Sequence, residues 1–185
     1  MAIKPPKIPM LSLSDASRLL KDNKVTDQVA LLGVRAYYRN SMGAKGKNDI
    51  GIYDDAIFLI SPSAYMACNA NTDPSVQYHH VALLEPGLWR YKIGIHGLSK
   101  PIAQRYKALV QADEVTVGRF QEGLDTGFFG INIHRGSYTK TSSLGCQTIW
   151  PDQWPSFISL VESQLKLYKQ KTVPYLLLEN EGDIA

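Results

Sequence analysis

The stretch Gly130-Ile-Asn-Ile-His-Arg-Gly136, followed by Ser142-Ser-Leu-Gly-Cys-Gln-Thr-Ile149, is the most informative part of the sequence. A short apolar run ends near His134 and is followed by a polar turn. The segment after that turn contains Cys146. This order predicts a strand, a loop and a second strand that place an imidazole beside a sulfur. A thiol is a good nucleophile near neutral pH only when a base or a positive charge assists it. Gly145 permits a sharp turn beside the sulfur, so that neighbouring amides face a developing oxyanion.

Outward from this stretch the sequence predicts an α+β fold, mostly β-sheet and sandwich-like, with one or two packed helices. Ser12-Leu-Ser-Asp15 has the spacing of a capping box and predicts a short helix to about Lys21. Apolar side chains at helical spacing predict a second helix within Pro151–Tyr168. Alternating or continuous apolar runs predict strands in Val29–Tyr38, Ile50–Ser61 (broken by Asp54-Asp55), Ala64–Asn69, Tyr78–Leu84, Leu88–Ile95, Glu114–Gly118 and Phe128–His134. Pro174–Leu178 is either a last strand or an extended tail.

The length and composition predict one domain. The chain has 185 residues, of which 44% are hydrophobic and 20% charged, as in an ordinary globular protein with a single core. We expect an extended lead over 1–10, a helix and first strand over 11–50, a β-rich core over 51–150, and a C-terminal helix and tail over 151–185.

The charge and the cysteine content limit the classes of partner. The net charge of +3 is too small, and its lysines and arginines too scattered, to predict a nucleic-acid partner. A mildly basic protein does suit an anionic polymer such as a bacterial cell wall. Cys68 and Cys146 are expected to be free thiols, with Cys68 structural. The N-terminus has no secretory signal pattern, and no apolar run is long enough for a membrane span.

The motif around His134 and Cys146 resembles the catalytic signature of the YkuD-type L,D-transpeptidases. That family has a strand ending in His-Gly or His-Ser, then a loop, then Ser/Thr-His-Gly-Cys, usually followed by a hydrophobic residue and Arg. The resemblance covers about twenty residues. It implies that Cys146 is the nucleophile and His134 its general base, with the catalytic Gly145 beside the nucleophile. Ser143, which opens the tetrad, is expected to contact substrate. Leu144 stands where the family usually has a second histidine, and Gln147-Thr148 replaces the hydrophobic–Arg pair.

The resemblance implies a cysteine peptidase that acts on peptidoglycan stem peptides, as an L,D-carboxypeptidase, an endopeptidase of the endolysin type or an L,D-transpeptidase. No cofactor is expected, and a monomer is favoured. Hydrolysis is favoured over transfer because the family's anchoring Arg is Thr148 here, which leaves Arg135 as the nearest cation for substrate carboxylates. A wall hydrolase without an export signal suits a phage lysis protein that leaves the host cytoplasm for the wall through a membrane lesion.

Further candidates surround this pair. His96, between two glycines, is the first candidate for a substrate contact, and Tyr138 is a candidate wall of the site. The backbone carbonyls of Arg135 and Gly136 and the side chain of Asn132 are alternative groups for orienting His134. We also expect His134 to lower the pKa of the Cys146 thiol.

Two other functions compete with this interpretation. One is a zinc-dependent wall amidase with ligands from His79-His80, His134 and Cys146, although adjacent histidines on a strand face opposite sides, so that only one of the pair would bind. The other is a catalytically idle wall-binding or virion module. Asp54-Asp55 and Asp73 also resemble the paired carboxylates of a glycosidase.

Overall fold

A computed structural model describes residues 3–184; residues 1, 2 and 185 of the predicted lead and tail lie outside the described part. The two helices are α1 (Leu13–Asp22) and α2 (Trp154–Leu167), and a short 3-10 helix covers Ile102–Gln104. The strands are β1 (Ala30–Arg35), β2 (Asp55–Ser61), β3 (Ala64–Asn71), β4 (Ala82–Leu84), β5 (Gly87–His96), β6 (Tyr106–Gln111), β7 (Val115–Arg119), β8 (Gly123–Gly127), β9 (Ile133–Arg135), β10 (Gln147–Ile149) and β11 (Val173–Glu179).

Eight of the strands form one closed sheet, in the order β1-β11-β5-β6-β9-β10-β3-β2. The remaining three form a small antiparallel sheet in the order β4-β7-β8. The prediction of an α+β fold that is mostly sheet, with two helices, is confirmed. The large sheet closes on itself, which a sandwich of two open sheets does not do.

The strands β1 and β2 are buried along their whole length because both of their faces are covered. One face contributes Leu31 and Ile57 to a core that also holds Phe157 and Val161 of α2. The opposite face contributes Leu32 and Phe58, together with other side chains, to a second core that includes the buried residues of α1. Continuous apolar strands of this kind are expected where a sheet is covered on both sides.

Local backbone geometry shortens two of the predicted strands. Within Tyr78–Leu84 only β4 is a strand, because Tyr78–His80 lie in a turn and His80 has φ of +66°. Within Phe128–His134 only the last two residues belong to β9. Among the described residues no helix is long and apolar enough to cross a membrane.

The short strands β9 and β10 run parallel, and their register positions the motif from which the sequence analysis began. Gln147 pairs with Ile133 and Thr148 with His134. Cys146, immediately before β10, therefore lies beside Asn132, immediately before β9. The predicted strand, loop and strand are thus neighbours in the closed sheet.

Candidate active site around Cys146 and His134

The Cys146 thiol is held by the backbone that precedes β9. The amide of Asn132 donates to Sγ at 3.4 Å, and the thiol donates to the carbonyl oxygen of Gly130 at 3.5 Å. The side chain is partly exposed. Among the described residues, the hydrogen bonds of Sγ are made to Asn132 and Gly130, and none is made to His134.

The turn before Cys146 is fixed by Ser143. Its Oγ accepts from the amide of Gly145 at 2.9 Å and donates to the carbonyl of Cys146 at 2.6 Å. Gly145 has φ of +132°, and a Cβ at that position would lie 2.6 Å from the carbonyl oxygen of Ala82. Only glycine fits this turn without strain. Ser143, predicted to contact substrate, is buried and has its hydroxyl engaged within the turn.

The His134 ring is oriented by the backbone of the next residue. Its Nδ1 lies 2.7 Å from the carbonyl oxygen of Arg135, and the Tyr106 hydroxyl lies 3.1 Å from the same nitrogen. A carbonyl oxygen only accepts, so Nδ1 carries the proton and Nε2 is the basic nitrogen of the neutral ring. Of the three alternatives that the sequence left open, Arg135 is the one that orients the histidine.

Burial keeps both members of the pair uncharged. Burial, together with the neighbouring His96, lowers the pKa of His134 to about 4. Burial also raises the pKa of the Cys146 thiol, which the hydrogen bond from the Asn132 amide only partly opposes. The predicted lowering of the thiol pKa is therefore wrong for the resting state. At neutral pH the site holds a thiol beside a neutral base, and not a thiolate beside an imidazolium.

His96, the candidate substrate contact, lies beside His134. Its ring stacks on that of His134, with centroids 4.1 Å apart and planes inclined by 27°. Its Nδ1 lies 3.2 Å from the side-chain nitrogen of Asn132, the residue whose amide holds the thiol. Burial and the charge of Lys100 lower the pKa of His96. The three groups Asn132, His96 and His134 thus form one connected cluster beside Cys146.

An open cavity of about 660 Å³ lies against this cluster. His96 and His134 line one side, and Ser142–Leu144, the turn that leads to Cys146, lines another. Three cationic side chains also line it, namely Lys100, Arg135 and Lys140. A cavity of this size accommodates a short peptide segment, and its cations favour an anionic one.

Of the predicted substrate contacts Arg135 and Tyr138, only Arg135 lines the cavity. Arg135 lines the cavity, and its guanidinium lies over the Tyr106 ring, 5.3 Å from the centroid. Tyr138 is exposed, packs edge-on against Trp150 and donates to Asp152 at 2.5 Å. The residues that line the cavity do not include Tyr138.

The sequence analysis missed Tyr106, Lys100 and Lys140. Tyr106 pairs with His96 across β5 and β6, so its position follows from strand register. Lys100 and Lys140 lie in loops outside the strands. No spacing in the sequence connects these loops, and only the fold brings them to one cavity.

The candidate zinc ligands do not meet. His79 and His80 both direct Nδ1 to the same carboxylate oxygen of Glu122, at 3.1 and 2.9 Å. The expectation that they face opposite sides of a strand is wrong, because they lie in a turn. Among residues 3–184 the groups with metal-ligand spacing are this surface cluster and a buried Asp54–Asp55–Asp73 cluster; neither includes His134 or Cys146. Asp54 and Asp55 are fully buried and Asp73 is 1% exposed, so the cluster does not present the pair of accessible carboxylates that a glycosidase requires.

Comparisons of the chain with protein-family profiles, with curated proteins and with solved structures find no match.

Proposed function

We propose that this protein is a cysteine-dependent peptidase of the L,D-transpeptidase type that acts on peptidoglycan stem peptides. The observation that carries the proposal is the parallel register of β9 and β10, which puts Cys146 beside Asn132 and close to a histidine already oriented through Nδ1. We also propose that the closed sheet is a form of the L,D-transpeptidase core. Adjacent strands bearing the histidine and the cysteine, and the Ser143–Cys146 turn, support this relationship.

The first chemical step requires the thiol to turn. Rotation of the Cys146 side chain away from Gly130 O brings Sγ toward Nε2 of His134. Catalytic hydrogen bonds are often made only when substrate is bound. Sγ then attacks the scissile carbonyl while Nε2 takes its proton, and an S–C bond forms. The same proton passes from Nε2 to the leaving amine as the C–N bond breaks, which leaves a thioester on Cys146.

The tetrahedral intermediate needs a donor for its oxyanion. The amide of Gly145 is already used by Ser143 Oγ. The amide of Cys146, next in the chain, is therefore the candidate donor. Water, activated by the neutral imidazole of His134, then attacks the thioester, releases the acid and restores the thiol.

The cations of the cavity support an acidic peptide as substrate. Thr148, at the position of the family's anchoring Arg, is fully buried and has no charge. Lys100, Arg135 and Lys140 line the cavity instead and supply the positive charge that a stem-peptide carboxylate requires. Hydrolysis remains the favoured outcome.

Purified muropeptides, incubated with the protein and analysed by mass spectrometry, test this proposal. We expect cleavage within the stem peptide, with one water added for each bond broken. A D-amino acid added in excess reveals transfer. If its incorporation outpaces the release of free peptide or D-alanine, the hydrolase assignment is wrong and the protein is a transpeptidase. If stem peptides remain intact under all conditions while the sugar chain is cut, peptidase chemistry is wrong altogether.

A further inference from the structure

We propose that the buried cluster of Asp54, Asp55 and Asp73 binds a calcium ion. Each of the three side chains offers a carboxylate oxygen, and these oxygens all lie within 4.8 Å of one another. Two oxygens bound to one Ca²⁺ at about 2.4 Å are separated by no more than about 4.8 Å. All three side chains are 1% exposed or less. The cluster lies at the start of β2 and at the end of β3, apart from the cysteine site.

The hydrogen bonds of the cluster leave one carboxylate oxygen without a donor. Asp55 accepts from the amides of Ala36 and Thr72, and Asp73 accepts from Arg35 and Asn48. Asp54 accepts at Oδ2 from the amide of Asp49. Its Oδ1 is buried and has no partner. A buried carboxylate oxygen without a donor is costly, and a cation beside it removes that cost.

Two amide oxygens next to the cluster are also without partners. Asn71 is fully buried, its Nδ2 donates to the backbone of Asp73, and its Oδ1 has no donor. Asn48 donates through Nδ2 to Asp73 Oδ2, and its Oδ1 is likewise unpaired. Carboxylate and amide oxygens are the ligands that Ca²⁺ takes, in sets of six to eight with irregular geometry. Mg²⁺ usually keeps several waters, so an all-protein oxygen set favours Ca²⁺.

The formal charge of the cluster matches a divalent cation. Three carboxylates face one guanidinium, that of Arg35, which leaves two formal negative charges in the ionised state. Arg35 also donates to the carbonyls of Thr72 and Leu84, so its charge is shared with other acceptors. Buried charges are paired or coordinate metals.

An ion has a route to the cluster from solvent. Asn48 and Asp73 line an open cavity of about 350 Å³ between the loop that precedes β2 and the small sheet. Asp54 and Asp55, within the same cluster as Asp73, are fully buried and do not line this cavity. A cation site requires such a path as well as the ligands themselves.

The cluster is connected to the turn that carries the nucleophile. Asp73 is two residues from Ser75, whose amide donates to the carbonyl of Ser143 at 2.8 Å. Ser75 Oγ accepts from the amide of Ser143 at 2.8 Å. A calcium ion that fixes Asp73 therefore fixes Ser75 and, through it, the turn before Cys146. Its role is structural, and it takes no part in the chemistry of the thiol.

Calcium titration of the chelator-treated protein tests the proposal. We expect the melting temperature to rise with CaCl₂ and to level off, with a smaller rise for MgCl₂. In Asp54→Asn the apparent affinity for Ca²⁺ should fall by at least about tenfold. The variant retains the shape of the side chain and removes an uncompensated charge, so it should fold at least as well as the calcium-free protein. Asp22→Asn, an exposed change at the end of α1, should titrate like the unsubstituted protein.

A second measurement does not depend on any variant. Tb³⁺ bound at this site should be sensitised by the phenol of Tyr53, and added Ca²⁺ should abolish that luminescence. The proposal is overturned if Ca²⁺ produces no saturable change in melting temperature or in Tb³⁺ emission, or if Asp54→Asn responds like the unsubstituted protein. A rise in stability on acidification without any calcium response would mean that a proton, and not a cation, compensates the cluster.

Discussion

At the scale of single residues, the two cysteines differ in their surroundings. Cys68 is fully buried in the core, and burial raises the pKa of its thiol to about 12. Cys146 is partly exposed beside the histidine cluster. We therefore expect Cys146→Ala to abolish peptide cleavage and Cys68→Ala to retain most of it. Circular dichroism should show both variants folded. Cleavage by Cys146→Ala at the normal rate would exclude a thiol mechanism.

The neutral state of His134 has a consequence for stability. Its pKa is about 4 in the folded chain, against about 6.5 when unfolded. Between about pH 6.5 and pH 4 the unfolded chain therefore binds a proton at His134 that the folded chain does not bind, so the free energy of unfolding falls as the pH is lowered. Below about pH 4 the folded chain is protonated as well, and the loss levels off. The free energy of unfolding falls by about 3 kcal/mol in full, and most of this fall is reached by pH 4.5.

Denaturant unfolding at pH 7 and pH 4.5 measures this effect. His134→Gln should lose less stability between the two values than the unsubstituted protein. His79→Gln, which changes an exposed ring, should not alter the difference. Equal losses in His134→Gln and in the unsubstituted protein would show that folding does not lower the pKa of His134.

At the scale of elements, the turn before Cys146 depends on one of two adjacent serines. Ser143 makes two hydrogen bonds within the turn, whereas Ser142 is exposed. Ser143→Ala leaves the buried amide of Gly145 without an acceptor, which should cost about 1–3 kcal/mol of unfolding free energy and lower kcat. Ser142→Ala should change the unfolding free energy little. If the two variants have the same stability and kcat, the turn is not held by Ser143.

Elements with a continuous local pattern could be predicted from the sequence, and those set by distant contacts could not. The Ser12 cap of α1 and the apolar face of α2 lie where the pattern placed them. β9 and β10 have only three residues each, and partners elsewhere in the chain determine where they begin and end. The turn at His80 depends on a positive φ in a non-glycine residue, which no pattern of apolar residues reveals.

At the scale of the whole molecule, closure of the sheet assembles a cavity that the motif alone does not contain. The sequence indicated His134, Cys146 and His96, because each has a local context of glycines or apolar residues. It gave no indication of Lys100 or Lys140, because neither belongs to a motif. Loop positions of this kind become predictable only once the strand order is known.

The cationic wall of the cavity should determine affinity more than rate. Lys140→Gln removes one charge from the wall, and we expect KM for an acidic stem peptide to rise about two- to fivefold with kcat little changed. Lys45→Gln, in an exposed loop, is the matched control. A stem peptide with amidated carboxyl groups should show no difference between the variants. A change confined to kcat would argue against a role for Lys140 in substrate binding.

If Cys146 is the nucleophile, it forms a covalent thioester with the acyl portion of the stem peptide. Intact-protein mass spectrometry, after rapid acid quenching of a mixture with purified stem peptide, measures this directly. We predict an adduct with the mass of the acyl portion of the substrate, located on the peptide that contains Cys146 and absent in Cys146→Ala. Product release at the same rate without any adduct, together with full activity of Cys146→Ala, would contradict the account.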